Sequence, residues 1–187
     1  MYLIIIEGTD NIGKDTLKNK LIEAFDSVSV IHCHGPQAKI FINNTQDNQF
    51  ITYANDIAKG KYDSTDCIIM NRSHYGEYVY GQLYRGRSKN SILYMINKVD
   101  GILTSRKDLT IKYIQLISSS ISLRKSNDDG QSLSEMDIEK MENETKLFCQ
   151  IYHQSILDKI MIDVNNGHDE FRPVDEIYNE VIKFIES

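Results

Sequence analysis

No stretch of this 187-residue chain approaches the ~20 consecutive apolar residues that a membrane-spanning helix needs. The apolar run Leu3-Ile4-Ile5-Ile6 is halted by Glu7, so no targeting signal is read there and a cytoplasmic location is expected. The chain also has no surplus of positive charge: 21 basic residues stand against 27 acidic ones, a net charge of −6. Proteins that live on duplex nucleic acid usually show a basic stripe, and its absence speaks against that partner. Phosphate-binding residues must therefore be few and locally placed. Cysteine is scarce. Cys33, Cys67 and Cys149 are odd in number and far apart. Two of them sit in apolar runs, which favours buried thiols in a reducing compartment over a disulfide or metal site. Repeats, low-complexity tracts and interdomain linkers are missing too. The length suits one domain over 1–187, able to bury roughly 70% of its unfolded surface.

What is present is an alternation. Short β-branched or apolar runs predict strands over 2–6, 28–33, 67–70, 109–117 and 159–164. Apolar residues at helical spacing predict helices over 15–25, 48–59, 75–84, 91–106, 134–156 and 174–185. Ser134 is expected to cap the longest of these, since Asp137 follows three residues later as in a capping box. Strands alternating with helices argue for an α/β fold with a parallel sheet and right-handed crossovers. The longest non-periodic segments are 35–47, 118–134 and 165–172, and loops of such length are often functional.

The sharpest motif is Gly8-Thr9-Asp10-Asn11-Ile12-Gly13-Lys14-Asp15-Thr16. It follows a strand buried on both faces and opens an amphipathic helix, which is the context a phosphate cradle needs. Glycines let successive backbone N–H groups turn inward toward a β-phosphate. The helix beginning near Lys14 adds its positive dipole end. Lys14 is placed to reach the β- and γ-phosphates of a nucleoside triphosphate. A chance glycine turn is the alternative, and the strand-to-helix context weighs against it. One departure stands out. The hydroxyl residue that normally follows the lysine and holds Mg²⁺ is here Asp15, with Thr16 next.

With these residues the chain resembles the thymidylate kinase branch of P-loop kinases, which includes the deoxynucleoside kinases. Glu7-Gly8-Thr9-Asp10-Asn11-Ile12-Gly13-Lys14 is similar to that family's opening Glu-Gly-x-Asp-x-x-Gly-Lys. Asn71-Arg72, with Tyr80 eight residues beyond the arginine, resembles its Asp-Arg…Ala-Tyr-Gln segment, and Asn71-Arg72-Ser73 the Glu-Arg-Ser of deoxynucleoside kinases. Tyr53-Ala54-Asn55-Asp56 resembles the helix whose aromatic stacks on the acceptor base, and Lys107-Asp108-Leu109 the approach to the fourth strand. The resemblance runs through nearly the whole chain in order. It implies a P-loop NTPase three-layer fold, with a five-stranded parallel sheet flanked by helices and a mobile lid, here within about 118–134.

The same resemblance implies residue roles. Asp10, Asn11, Ile12, Gly13, Lys14, Asp15 and Thr16 would hold ATP. Arg72 would hold the acceptor phosphate or the transferred group, a task for a planar bidentate donor, with a structural ion pair as the alternative. Asp10 matches the position near the acceptor sugar and Tyr53 the base-stacking position, although Tyr53 also reads as a core aromatic; Tyr80 is similar. In the lid only Arg124 and Lys125 are basic, followed by Asp128 and Asp129. Arg124 is taken as the charge-stabilising donor, against a solvated surface charge. The family's acidic residue before the strand-three arginine is here Asn71, so Asp15 and Asn71 are expected to hold Mg²⁺ with roles exchanged.

The acceptor is read from what is missing. After the second strand comes His32-Cys33-His34-Gly35-Pro36, with no carboxylate to serve as a general base. A monophosphate is already largely anionic, its second pKa being about 6, and needs positioning more than deprotonation. A deoxynucleoside monophosphate such as dTMP is therefore expected as acceptor. Glu77 keeps a deoxynucleoside acceptor open, its bland reading being an exposed helix carboxylate. His32 and His34 share a strand face as pocket-lining or merely polar residues, and two histidines alone make no zinc site; His74 is uncommitted. Two further readings stay open: a kinase acting on a modified base or end in DNA, and a nucleotide-binding module with little turnover. Related kinases form dimers, so a homodimer through helix 91–106 is expected.

Overall fold

Leu3, Ile4, Ile5 and Ile6 have no solvent exposure at all, and this decides where the first strand lies. A strand apolar on both faces belongs at the centre of a parallel sheet, covered by helices on each side. In the computed structural model, which describes residues 1–33, 45–128, 130, 132–167 and 169–187, β1 (Tyr2–Glu7) is that strand. It pairs with β3 (Cys67–Asn71) on one side and β4 (Thr110–Ile117) on the other. β2 (Val28–His32) extends the sheet beyond β3, and β5 (Asp158–Asp163) beyond β4. The order is β2-β3-β1-β4-β5 and every pairing is parallel. The five-stranded parallel sheet expected from the resemblance is what the chain builds.

The two-residue period of a strand splits β1 between two cores. Leu3 and Ile5 enter one, with Phe50 of α2 (Thr45–Ala58), Tyr78 of α3 (Gly76–Arg85), Met95 of α4 (Lys89–Thr104) and Phe148 of α6 (Ile138–Gln154). Ile4 and Ile6 enter the other, with Leu17 and Leu21 of α1 (Lys14–Ile22) and Ile177, Val181 and Ile185 of α7 (Val174–Glu186). The four-residue spacing along α7 is an apolar stripe turned to the sheet. Helix, sheet and helix thus form three layers. Among the described residues no helix is long and apolar enough to cross a membrane. Cys33 and Cys67 are buried, and burial pushes both thiols up to about 12.

Three local expectations are corrected. Ser134 does not cap the long helix: Glu135 and Met136 adopt left-handed backbone angles, φ 53° and 59°, which a right-handed helix cannot contain. α6 starts four residues later, at Ile138, with the Asp137 side chain accepting from Lys140 N at 3.0 Å. Segment 118–134 is not all loop, because Ser120 Oγ accepts from Leu123 N at 3.1 Å and caps a short α5 (Ile121–Ser126). α1 stops at Ile22, short of Phe25. Elsewhere the element boundaries move by one to three residues, as for α2, which opens at Thr45.

Candidate functional site

β1 delivers the chain to Gly8, where φ is 147° and an added Cβ would collide with the Leu116 carbonyl oxygen of β4. Only glycine fits that approach. The loop then turns through Asn11, left-handed at φ 63°, and Gly13, at φ 85°, before α1 begins with Lys14. Lys14 is buried, and its ammonium donates to the Thr9 carbonyl inside the loop. Burial is the main influence on it and lowers its pKa to about 8, against the pull of Asp10 in the other direction. The loop thus encloses a cation whose nearest charges are Asp10, Arg72, Glu7 and Asp15.

The end of β3 faces this loop. Arg72 holds a left-handed φ of 69° while its N–H donates to the Ile6 carbonyl at 3.0 Å. That turn swings its guanidinium to Asp10, Nη2 to Oδ1 2.8 Å. Asn71 is buried beside it and donates from Nδ2 to Asp15 Oδ1 at 2.8 Å. Asp15 also accepts from Lys18 at 2.8 Å, the chief reason its pKa is lowered. The residues fit a hard cation: Asp15 is anionic, and Asn71 Oδ1 is buried with no hydrogen-bond partner. Among the described residues no group of three or more His, Cys, Asp or Glu side chains is placed to cage a metal, so Mg²⁺ would depend on phosphate oxygens for its remaining ligands.

Glu7 is a site residue for which the sequence suggested no role. It is 1% exposed and accepts at Oε1 from Ser73 N (2.6 Å), Ser73 Oγ (2.8 Å) and Gly76 N (3.1 Å). Burial raises its pKa, and the Ser73 hydrogen bonds oppose that rise. A carboxylate ending a strand buried on both faces was the available signal, since buried acids almost always have partners.

The other expected residues divide. Tyr80 lies in the first core, its ring edge-on against Phe148 at 5.8 Å, and its buried hydroxyl has no hydrogen-bond partner. Burial, then the charges of Asp10 and Glu144, push that hydroxyl's pKa far up. Tyr53 is half-buried against the first core and accepts from Gln49 at 3.1 Å. Glu77 is not the exposed helix carboxylate of its bland reading. It is buried and ion-paired with Arg85 and, at 3.1 Å, with Arg87, which also reaches Asp47 at 2.7 Å. Arg124 is not a solvated charge either. It is 2% exposed, with Nη2 2.6 Å from Glu144 Oε2 and Nη1 donating to Met141 O at 2.8 Å and Thr145 Oγ1 at 3.1 Å. Tyr84 donates to the same Glu144 at 2.6 Å. Segment 118–134 meets the glycine loop through Asn11 Nδ2, 3.1 Å from Asp128 Oδ1. His74 belongs to the core, Nε2 2.8 Å from Asp100. His32 is exposed at a strand end, and His34, Gly35, Pro36 and Asp129 lie outside the described residues.

Against the cradle, on the α7 side of the sheet, lies a cavity of about 290 Å³. Ile12, Gly13 and Thr16 border it, and Leu116, Val164 and Phe171 form much of its wall. This size is near the low end for small-molecule pockets and suits a nucleobase. No sequence signal pointed to it.

No protein-family model matches the chain, and no curated protein does. Solved structures do. The chain is similar to the Bacillus subtilis YorR protein, crystallised with phosphorylated GDP, at TM-score 0.66 and 18% identity over 98% of this chain and 95% of that one. Thymidylate kinase from Candida albicans matches at TM-score 0.60 and 18% identity, covering 98% and 90%. Deoxyadenosine kinase from M. mycoides, with bound dATP, matches at TM-score 0.53 and 15% identity, covering 99% and 100%. Sheet order, cradle and these likenesses agree: the chain has a thymidylate kinase-like P-loop kinase fold.

Proposed function

We propose that this chain is an ATP- and Mg²⁺-dependent nucleotide kinase that phosphorylates a deoxynucleoside monophosphate such as dTMP. The observation that carries the reading is the nearness of Lys14, buried inside the glycine loop, to Arg72, whose charge reaches the Lys14 ammonium and whose guanidinium lies 2.8 Å from Asp10. Two neighbouring cations are what in-line phosphoryl transfer asks of a protein, since positioning and charge stabilisation are most of its catalysis. The loop amides and Lys14 take the β- and γ-phosphates, and the donor base enters the cavity walled by Phe171 and Leu116. Arg72 orients the acceptor phosphate, Asp10 and the unpartnered Tyr80 hydroxyl face its sugar, and Tyr53 faces its base. An acceptor phosphate oxygen attacks the γ-phosphorus as the bond to the β-phosphate oxygen breaks, leaving ADP and a nucleoside diphosphate. Arg124 stabilises the transferred group on exchanging Glu144 for it. Asp15 and Asn71 would hold Mg²⁺, which when bound neutralises charge on the β- and γ-phosphate oxygens.

A monophosphate suits the site better than a sugar hydroxyl because the carboxylates around the cradle already have donors. Glu7 takes three, Asp10 has Arg72, Asp15 has Asn71 and Lys18, and Glu77 has two arginines. No uncommitted base remains among them to take a hydroxyl proton. The test is ATP turnover with a panel of deoxynucleoside monophosphates, nucleosides and oligonucleotides. The reading expects a nucleoside diphosphate from at least one monophosphate. Label appearing on nucleosides or on oligonucleotides would replace the acceptor class, and no turnover with any member would leave a nucleotide-binding module.

A further inference from the structure

The cavity beside the cradle determines more than where a base sits. This inference rests on the nucleotide kinase reading and concerns which donors the site admits. Among the described residues, the only side chains lining the cavity that carry hydrogen-bonding groups are those of Thr16 and Arg172. Arg172 is already committed: Nη1 donates to the Asp163 carbonyl at 3.1 Å, Nη2 pairs with Glu180 at 3.0 Å, and Nε faces Glu176 at 3.9 Å. Thr16 is exposed in the first turn of α1, on the phosphate side. Several neighbouring backbone groups are paired as well. Val164 N–H donates to Ile117 O at 2.9 Å, Arg172 N–H to Val164 O at 2.8 Å, and Asn165 bridges Phe171 in antiparallel fashion. The remaining described wall is apolar, with Ile12, Leu17, Leu116, Val164, Phe171 and Ile177 among its side chains.

We propose that this slot holds the donor base by apolar contact alone and does not read its edge, so that ATP, GTP, CTP and UTP all serve as phosphoryl donors. Adenine and guanine differ chiefly in hydrogen bonding: adenine offers an amino donor where guanine offers a carbonyl acceptor. A site built to pair with one edge leaves buried polar groups unpaired against the other and rejects it by about 10⁴-fold or more. An apolar pocket separates ligands of different size by only about 10- to 200-fold. Purines bury more apolar surface than pyrimidines and bind more tightly here. Adenine and guanine are held almost alike.

The experiment is competitive displacement of a fluorescent nucleotide from the 187-residue chain by each of the four triphosphates and by inorganic tripolyphosphate, which engages the cradle alone. Expected are four dissociation constants within about 100-fold of one another, each lower than that of tripolyphosphate. Phe171→Ala should weaken all four by a common factor and leave tripolyphosphate unchanged. Phe171→Leu, which keeps the apolar wall and guards against a folding defect, should retain most of the affinity. One triphosphate bound more than about 100-fold tighter than the rest, or a Phe171→Ala loss confined to one base, overturns the inference while the cradle stands. Triphosphates bound no better than tripolyphosphate also overturn it. If tripolyphosphate does not bind either, the nucleotide kinase reading falls with it.

Discussion

Asn71 Nδ2 lies 2.8 Å from Asp15 Oδ1, tying the end of β3 to the first turn of α1. The two positions at which this chain departs from its resemblance are therefore in contact. Asp15→Asn should lower Mg²⁺-dependent turnover by at least about tenfold, a typical loss for a disturbed metal environment. Asn71→Asp alone sets two carboxylates against each other and should also impair turnover. The double exchange should recover part of it. Unchanged Mg²⁺ dependence in Asp15→Asn would show that the carboxylate has not moved.

Lys14 gives a pH dependence. Its pKa is near 8 in the folded chain and 10.5 as a free lysine. Between those values the unfolded chain binds more protons, so this group makes stability rise with pH there, and its buried charge opposes folding at pH 7. Lys14→Met should therefore leave the ligand-free melting temperature unchanged or higher while lowering turnover by roughly 10²- to 10³-fold. Triphosphate affinity in the unaltered chain should fall as pH climbs through about 8. That fall should vanish in the methionine variant, as titration calorimetry at several pH values would show.

Glu7 acts on Arg72 through the turn between them. Removing its carboxyl in Glu7→Ala leaves the Ser73 and Gly76 amides without an acceptor, a loss of about 1–3 kcal/mol measurable by urea denaturation. Arg72, held left-handed at φ 69°, then relaxes toward ordinary backbone angles, so the acceptor KM rises more than kcat falls. Glu7→Gln keeps an acceptor oxygen and should restore KM. Because burial raises the Glu7 pKa, its contribution to stability declines as pH rises above the ordinary carboxyl value of 4.5. The glutamine variant should lack that decline.

Arg124 and Glu144 form a buried pair, so removing one partner should cost about 3–5 kcal/mol, whereas replacing both with apolar residues should be nearly neutral. The Arg124→Met, Glu144→Leu double variant is thus the informative one. It should fold normally, yet transfer the phosphoryl group at least about 10³-fold more slowly if Arg124 reaches the γ-phosphate. A folded double variant with full single-turnover rate would confine Arg124 to a structural role.

The cradle and the sheet were legible for a local reason. Gly8, Gly13 and Lys14 lie within seven consecutive positions, and the β-branched run before them needs no partner to be recognised. What was not legible depends on distant pairing. The donor groups that Glu7 satisfies belong to Ser73 and Gly76, 66 and 69 positions away. Arg124 is opposite Glu144 only because α5 folds within a segment that reads as polar loop, and α5 exists through one serine cap and the burial of Leu123. The cavity is assembled from Leu116 and Val164, which read as ordinary strand core, and from Phe171, which falls in a segment that reads as loop. Ser134 had the right neighbours for a cap and lost to two left-handed residues that no pattern announces.

The abutment of Gly8 on the Leu116 carbonyl has one more consequence. Main chain rests directly on main chain there, with the Ile12 side chain beside it. The lateral seat of the loop's first residue against β4 is thus set by strand spacing itself, a dimension of roughly 4.8 Å that repacking elsewhere does not alter. Drift in the helices and loops can retune which molecules this scaffold selects while the seat for the polyphosphate keeps its gauge.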